Sequence, residues 1–152
     1  MIELLNANKI LKILDFFTEN KHQIYYPKKL EFVFNNDLST IRNLIFNDYL
    51  LPVAKTDNKG EILELSLFDL RNFNESQKYL ILQAGNIDKS FILQAIKPIQ
   101  ELFNDLKIQK IIIKDLSSEF KVIDKAIIDS GYKMDFSVDL KKGIFIQYGL
   151  YL

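Results

Sequence analysis

The chain has no cysteine and no tryptophan, a single histidine, and only three prolines and five glycines among its 152 residues. Without cysteine there is no disulfide framework, no thiol nucleophile and no thiolate metal ligand. With His22 as the one histidine, a multi-histidine metal centre cannot be built within one chain, and no metal is expected. No apolar run approaches the ~20 residues that a bilayer-spanning helix needs, and the N-terminus lacks a basic-then-apolar leader pattern. The expectation is a soluble, cytoplasmic protein with no membrane association. Charge of neither sign dominates. Up to Asn72 there are 9 Lys/Arg against 10 Asp/Glu, and beyond it 11 against 10. Neither half has the cationic surplus that draws a protein onto nucleic acid, which is therefore not an expected partner. The length suffices to bury a sizeable core. No linker or low-complexity tract divides it, so residues 1–152 read as a single domain.

What is present is a clear order of periodic segments. Ile2 and Leu4 alternate with Glu3 in a short edge strand at residues 1–5. Asn8 is a plausible N-cap for a helix carrying Ile10, Leu11, Ile13, Leu14 and Phe17 at helical spacing and ending near Asn20. Pro27 suits the first turn of a second helix with Leu30, Phe32, Val33 and Phe34. After Asn35-Asn36-Asp37, either Asp37 or Ser39 caps a third, with Ile41, Leu44 and Ile45 inward. Residues 50–56 read as a strand, Asp57-Asn58-Lys59-Gly60 as a turn, and residues 61–68 as its partner. In that partner Leu63, Leu65 and Leu67 face one way, and Ile62, Glu64, Ser66 and Phe68 the other.

The apolar runs Tyr79-Leu80-Ile81-Leu82 and Ile111-Ile112-Ile113 are short and bounded by polar residues, as buried central strands should be. Between them Ile92, Ile96, Ile99, Leu102, Phe103 and Leu106 form a helical stripe. Pro98 lies within it, so either a kinked helix starts near Asp88 or the helix begins at Pro98. The stripe stays in phase across the proline, which favours the longer helix. Ser117 or Ser118 caps a further helix with Phe120, Ile123, Ile127 and Ile128 inward, and Gly131 ends it. Residues 133–140 and 143–150 flank Lys141-Lys142-Gly143 as a closing hairpin. The fold class is α+β: a mixed, mostly antiparallel sheet flanked by helices.

That order resembles the GNAT N-acetyltransferase superfamily over essentially the whole chain. The resemblance is carried by the opening Met1-Ile2-Glu3-Leu4-Leu5, by Val53-Ala54-Lys55 and Gly60-Glu61-Ile62 around the first turn, by Leu106-Lys107-Ile108-Gln109-Lys110-Ile111, and by Asp129-Ser130-Gly131-Tyr132. It implies an N-acyltransferase using acetyl-CoA or another acyl-CoA and an amine acceptor. It also implies that the strand around Leu82 and Ala84 would hydrogen-bond the pantetheine arm. Lys89 and Ser90, beside Asp88, would meet the diphosphate, and Glu64 would take the amine proton.

Two motif elements depart from the family. Its glycine-rich turn lets backbone N–H groups approach the diphosphate closely; here Ser90 and Ile92 fall where the glycines would, and Asp88 adds negative charge. The family's general-acid tyrosine, counted back from Tyr132, falls on Ile127. These departures point to a protein that kept the fold and binds acetyl-CoA weakly or not at all. Each candidate also has an ordinary reading. Glu64 fits a solvent-facing hairpin charge, Ser90 a helix cap, and Tyr79, Tyr132 and Tyr148 core aromatics with wet hydroxyls. His22 fits a surface loop residue, and Tyr25, Tyr26, Phe32 and Phe34 fit packing of a short helix. A competing architecture reads residues 9–67 as a winged-helix module, with residues 39–47 as the recognition helix offering Arg42, Asn43 and Asn47. Lacking a basic face, such a module would suit a protein partner better than DNA. A homo-oligomer or a larger assembly is compatible with the neutral surface.

Overall fold

The computed structural model describes residues 1–116 and 124–152. A seven-stranded sheet runs in the order β1-β2-β3-β4-β5-β7-β6. Its strands are β1 (Ile2–Leu4), β2 (Leu50–Thr56), β3 (Ile62–Asp69), β4 (Tyr79–Gly85), β5 (Lys110–Leu116), β6 (Lys133–Leu140) and β7 (Gly143–Tyr151). Every neighbouring pair is antiparallel except β4 and β5, which run parallel with Tyr79 opposite Lys110 and Ile81 opposite Ile112. The helices are α1 (Ile10–Asn20), α2 (Lys28–Asn36), α3 (Leu38–Phe46), α4 (Lys89–Leu102) and α5 (Asp124–Asp129). This is the expected α+β class with the expected element order.

Alternation along the strands divides the core between the two faces of the sheet. On one face Leu65, Leu67 and Ala84 pack with Ile10, Ile13 and Phe17 of α1, Phe34 of α2, and Ile41 and Ile45 of α3. On the other, Phe68, Leu80, Leu82, Ile111 and Ile113 pack with Phe91, Ile92, Ala95, Ile96 and Ile99 of α4, and with Ile127 and Tyr132. The helix through Pro98 is continuous from Lys89 to Leu102, so the in-phase stripe prevails over the proline.

Several local expectations change. Asn6, not Asn8, is the cap at the start of the first helical segment: its side chain accepts from the Asn8 backbone N–H and opens a 3-10 turn that leads into α1. Asp37 stands at the N-cap of α3, where its carboxylate accepts from the hydroxyls of Ser39 and Thr40 rather than from a backbone N–H. Leu63 and Ile128 are exposed, because β3 enters the covered part of the sheet only at Leu65 and, among the described side chains of α5, Ile127 alone turns fully into the core. Ser117, Ser118, Phe120 and Ile123 lie outside the described residues. The hairpin read as a wing is no wing: β2 also pairs with β1 and β3 with β4, deep in the shared sheet.

The far edge is tied by an ion pair across β7. Lys110 of β5 reaches Asp135 of β6 at 2.5 Å, and Gln147 and Tyr151 also donate to that carboxylate. Gly149 lies beneath; a Cβ there would come within 2.5 Å of the lysine Cε. Leu82 is fully buried while Lys89 is exposed. Leu82→Ala is therefore expected to cost about 2–5 kcal/mol, and Lys89→Ala to stay within about 0.5 kcal/mol of the parent, both read from urea unfolding midpoints. Equal costs would contradict this placement of α4.

Candidate ligand cleft between β4 and β5

The central irregularity of the sheet is in β4. Leu67 pairs with Ala84 and Phe68 with Leu82, so Gln83 is an extra residue, a bulge. Pairing of β4 with β5 covers only three residues, up to Ile81 opposite Ile112, although both strands continue. The strands thus part just where the bulge occurs. A bulge polarised in this way exposes backbone and re-aims side chains at the opening.

Beyond the bulge the chain is held on both edges. Gly85 exchanges two hydrogen bonds with Tyr25, which donates to its carbonyl at 3.0 Å and accepts from its N–H at 2.8 Å. Its φ of 123° and the Leu65 carbonyl, which would lie 2.2 Å from a Cβ, both require glycine. Asn86 then latches onto β3. Its side-chain oxygen accepts from the Leu65 N–H (2.8 Å), its N–H donates to the Leu65 carbonyl (2.9 Å), and its carbonyl accepts from the Ser66 hydroxyl (2.6 Å).

Only residues 86–88 join β4 to α4. Asp88 is the N-cap, its carboxylate accepting from the Phe91 N–H at 3.0 Å. Glu64 lies against it. Burial first, then the charge of Asp88 and a hydrogen bond with it, push the Glu64 carboxyl above its ordinary range; Lys55, at 4.0 Å, pulls the other way. Two carboxylates therefore stand at the helix end whose dipole would otherwise attract an anion. A cavity of ≈ 210 Å³ beside this end is lined, among the described residues, by Gln23, Ile24, Tyr25, residues 86–88, Ala126 and Ser130, none of them basic.

The sequence-predicted residues scatter accordingly. Leu82 and Ala84 point into opposite halves of the core. Lys89 and Ser90 are exposed on the first turn of α4 and do not line that cavity. Ile92 and Ile127 are fully buried, as core positions. Glu64 does meet Asp88, a pairing the sequence reading had not made. Tyr132 is buried with no hydrogen-bond partner for its hydroxyl among the described residues, and burial together with the charge of Asp88 raises its pKa, keeping it protonated.

On the opposite face the parting strands open onto a larger cavity, ≈ 430 Å³, under α2 and α3. Gln83 lines it, and behind Gln83 lies Asp69, only 5% exposed. Burial would raise the Asp69 carboxyl, but hydrogen bonds from the Arg71 side chain and backbone, the charge of Arg71 and the amide of Gln83 outweigh it and hold it below the usual range. The Arg71 guanidinium bonds through Nε (3.0 Å) and Nη2 (2.5 Å), and Gln83 Nε2 donates at 3.2 Å. This constellation was missed in the sequence. Its one signal was Gln83, a polar residue inside an otherwise apolar run.

No family model matches the chain, and no curated protein matches it in sequence. Solved structures do match. A probable acetyltransferase from Staphylococcus epidermidis superposes with a TM-score of 0.65 at 15% identity, over 99% of this chain and 98% of that one. The ribosomal-protein-alanine N-acetyltransferase of Brucella melitensis gives 0.58 at 11% identity over 100% and 99%. An aminoglycoside acetyltransferase in complex with coenzyme A gives 0.57 at 11% identity over 99% and 94%. The chain therefore has the GNAT acetyltransferase fold, in a divergent sequence. Among the described residues there is no cluster of three potential metal ligands, and no helix is long and apolar enough to cross a membrane.

Two outcomes test this geometry. A folded-state pKa of Glu64 above its unfolded value of about 4.3 means that ionisation weakens the fold; the penalty is absent below that value and grows as pH rises through the raised pKa. Glu64→Gln should accordingly be more stable than the parent at pH 7 and indistinguishable from it near pH 3.5, by denaturant titration. For Asp69 the sign is opposite. Its lowered pKa gives stability that is present above the unfolded value and lost as pH falls through the folded one. Arg71→Ala, which strands a buried carboxylate, should cost about 3 kcal/mol at pH 7 and progressively less on acidification. Asp69→Asn should cost less at pH 7, since half-exposed Arg71 can turn to water.

Proposed function

We propose that this chain is a divergent, catalytically degenerate acyltransferase-fold protein that has given up the diphosphate grip on acyl-CoA and keeps its acceptor-side cavity as a ligand site. The observation that carries this reading is the connection from β4 to α4. It has three residues, the first is fixed to β3, and the last caps the helix with its own carboxylate. Backbone N–H groups that would otherwise be offered to an anion are therefore satisfied or screened. A diphosphate brought to this end would face Asp88 and Glu64, with no lysine or arginine among the described residues lining the adjacent cavity. Like charges a few ångströms apart repel by several kcal/mol at the effective dielectric of a protein surface, about 4 kcal/mol at 4 Å. Ile127, at the position of the family's proton donor, is core.

The second reading, a working N-acyltransferase that holds its acyl-CoA donor through the arm alone, is favoured by the bulge at Gln83 and the parting of β4 and β5. In that case a neutral amine in the larger cavity would attack the thioester carbonyl. The C–N bond would form as the C–S bond breaks, and the amine proton would end on the departing sulfur. Tyr132, protonated and with no partner for its hydroxyl among the described residues, would relay it, giving its own proton to the sulfur and taking up the amine's in exchange.

Isothermal titration with acetyl-CoA separates the two. No saturable binding is expected below about 1 mM, the affinity equivalent to roughly 4 kcal/mol. Stoichiometric micromolar binding would overturn the degenerate reading. Were the donor bound, Asp88→Asn, whose amide oxygen can still cap α4, should tighten it about tenfold by removing one negative charge.

A further inference from the structure

From the lining of the larger cavity we infer that its ligand is a small amphipathic anion: an apolar body ending in a carboxylate or a phosphate. The inference rests on the reading that this cavity is kept as a ligand site, and it names the ligand's chemistry. The volume, ≈ 430 Å³, lies within the range of sites that enclose small molecules. Leu44, Ile81 and Phe145 are representative of its apolar lining, drawn from α3, β4 and β7. Among the described residues its charged groups are all of one sign: Lys29 comes from α2, Arg71 from the segment after β3 and Lys114 from β5, and no described carboxylate lines it.

Such a bias is informative in a protein with equal numbers of acidic and basic residues. Asp69, beside Arg71, is already committed to Arg71 and Gln83 and is almost wholly buried. Asp37, whose carboxylate accepts from the lining Thr40 hydroxyl, is committed to Ser39 and Thr40 at the exposed start of α3. Asp69 orients the guanidinium through Nε and Nη2 and leaves Nη1 as a donor. Lys29 and Lys114 are exposed and form no ion pair among the described residues. Two lysines with no ion pair among the described residues and the remaining N–H donors of the Asp69-held guanidinium attract an anionic head and hold it where the tail is buried. A cationic ligand would meet the same groups as repulsion. The arrangement thus selects by attraction and by exclusion together. The Gln83 amide, its nitrogen bound to Asp69, leaves its oxygen as a hydrogen-bond acceptor at the point where β4 and β5 part.

Three probes that share a tail and differ in the head group test the inference: octanoate, octyl phosphate and octylamine. Thermal unfolding of the intact protein with about ten times Kd of octanoate or octyl phosphate should raise Tm by about 4 °C; the larger response identifies which oxyanion the site prefers. Octylamine should give no stabilisation. The double variant Lys29→Gln/Lys114→Gln changes two exposed side chains and should unfold like the parent without ligand, yet bind octanoate about tenfold more weakly. Lys89→Gln, outside the cavity, should bind as the parent does. Equal stabilisation by octylamine, an octanoate response indifferent to the double variant, or no response to any of the three probes would each overturn the inference. None of these outcomes alters the acetyl-CoA titration, so this assignment and the donor-side reading fail separately.

Discussion

Everything distinctive about this molecule depends on how the end of β4 is held. Gly85 is clamped between the Leu65 carbonyl on one side and the backbone of Tyr25 on the other. A strand fixed on both edges cannot rejoin β5, so pairing between the two stops at Ile81, and the slack of one residue is absorbed in the bulge at Gln83. The same clamp puts Asn86 in reach of β3 and leaves two residues to turn the chain into α4. The close approach of the Leu65 carbonyl and the φ of 123° are what require glycine at position 85.

Charge then separates across the sheet although the chain is neutral overall. On the α4 face, Asp88 and Glu64 crowd a helix N-terminus, where burial and the charge of Asp88 make Glu64 harder to ionise. On the α2–α3 face, Lys29, Arg71 and Lys114 surround an apolar hollow, and the buried acid behind it, Asp69, is paired with Arg71. Two carboxylates thus stand at the α4 entrance, while lysine and arginine side chains stand around the hollow on the other face.

The fold was legible because its signals are local. Three-residue apolar runs at Ile111-Ile112-Ile113, the turn at Asp57-Asn58-Lys59-Gly60 and the stripe through Ile92, Ile96 and Ile99 each specify an element by period alone. Errors fell where local alternatives compete. Asn6 and Asn8 are equally good capping residues, and only the pairing of β1 with β2 decides where the chain turns into the first helix. Leu63 and Ile128 follow the periodicity of their elements, yet the element covering each position does not extend over it. The winged-helix reading failed for a similar reason, since pairing of β2 and β3 with further strands is a long-range choice.

Residue types and order determined an α+β sheet with these helices, the committed cores of Ile92 and Ile127, and the loss of a glycine-rich turn at residues 88–92. Only tertiary structure decided that Tyr25 would close the edge of Gly85, that Glu64 would meet Asp88 across twenty-odd residues of chain, and that Arg71, Gln83 and Asp69 would form one network. The physical reason is that backbone conformation and burial follow patterns repeating every two or 3.6 residues. Charge pairing and cavity lining depend instead on distances between elements, which no such period records.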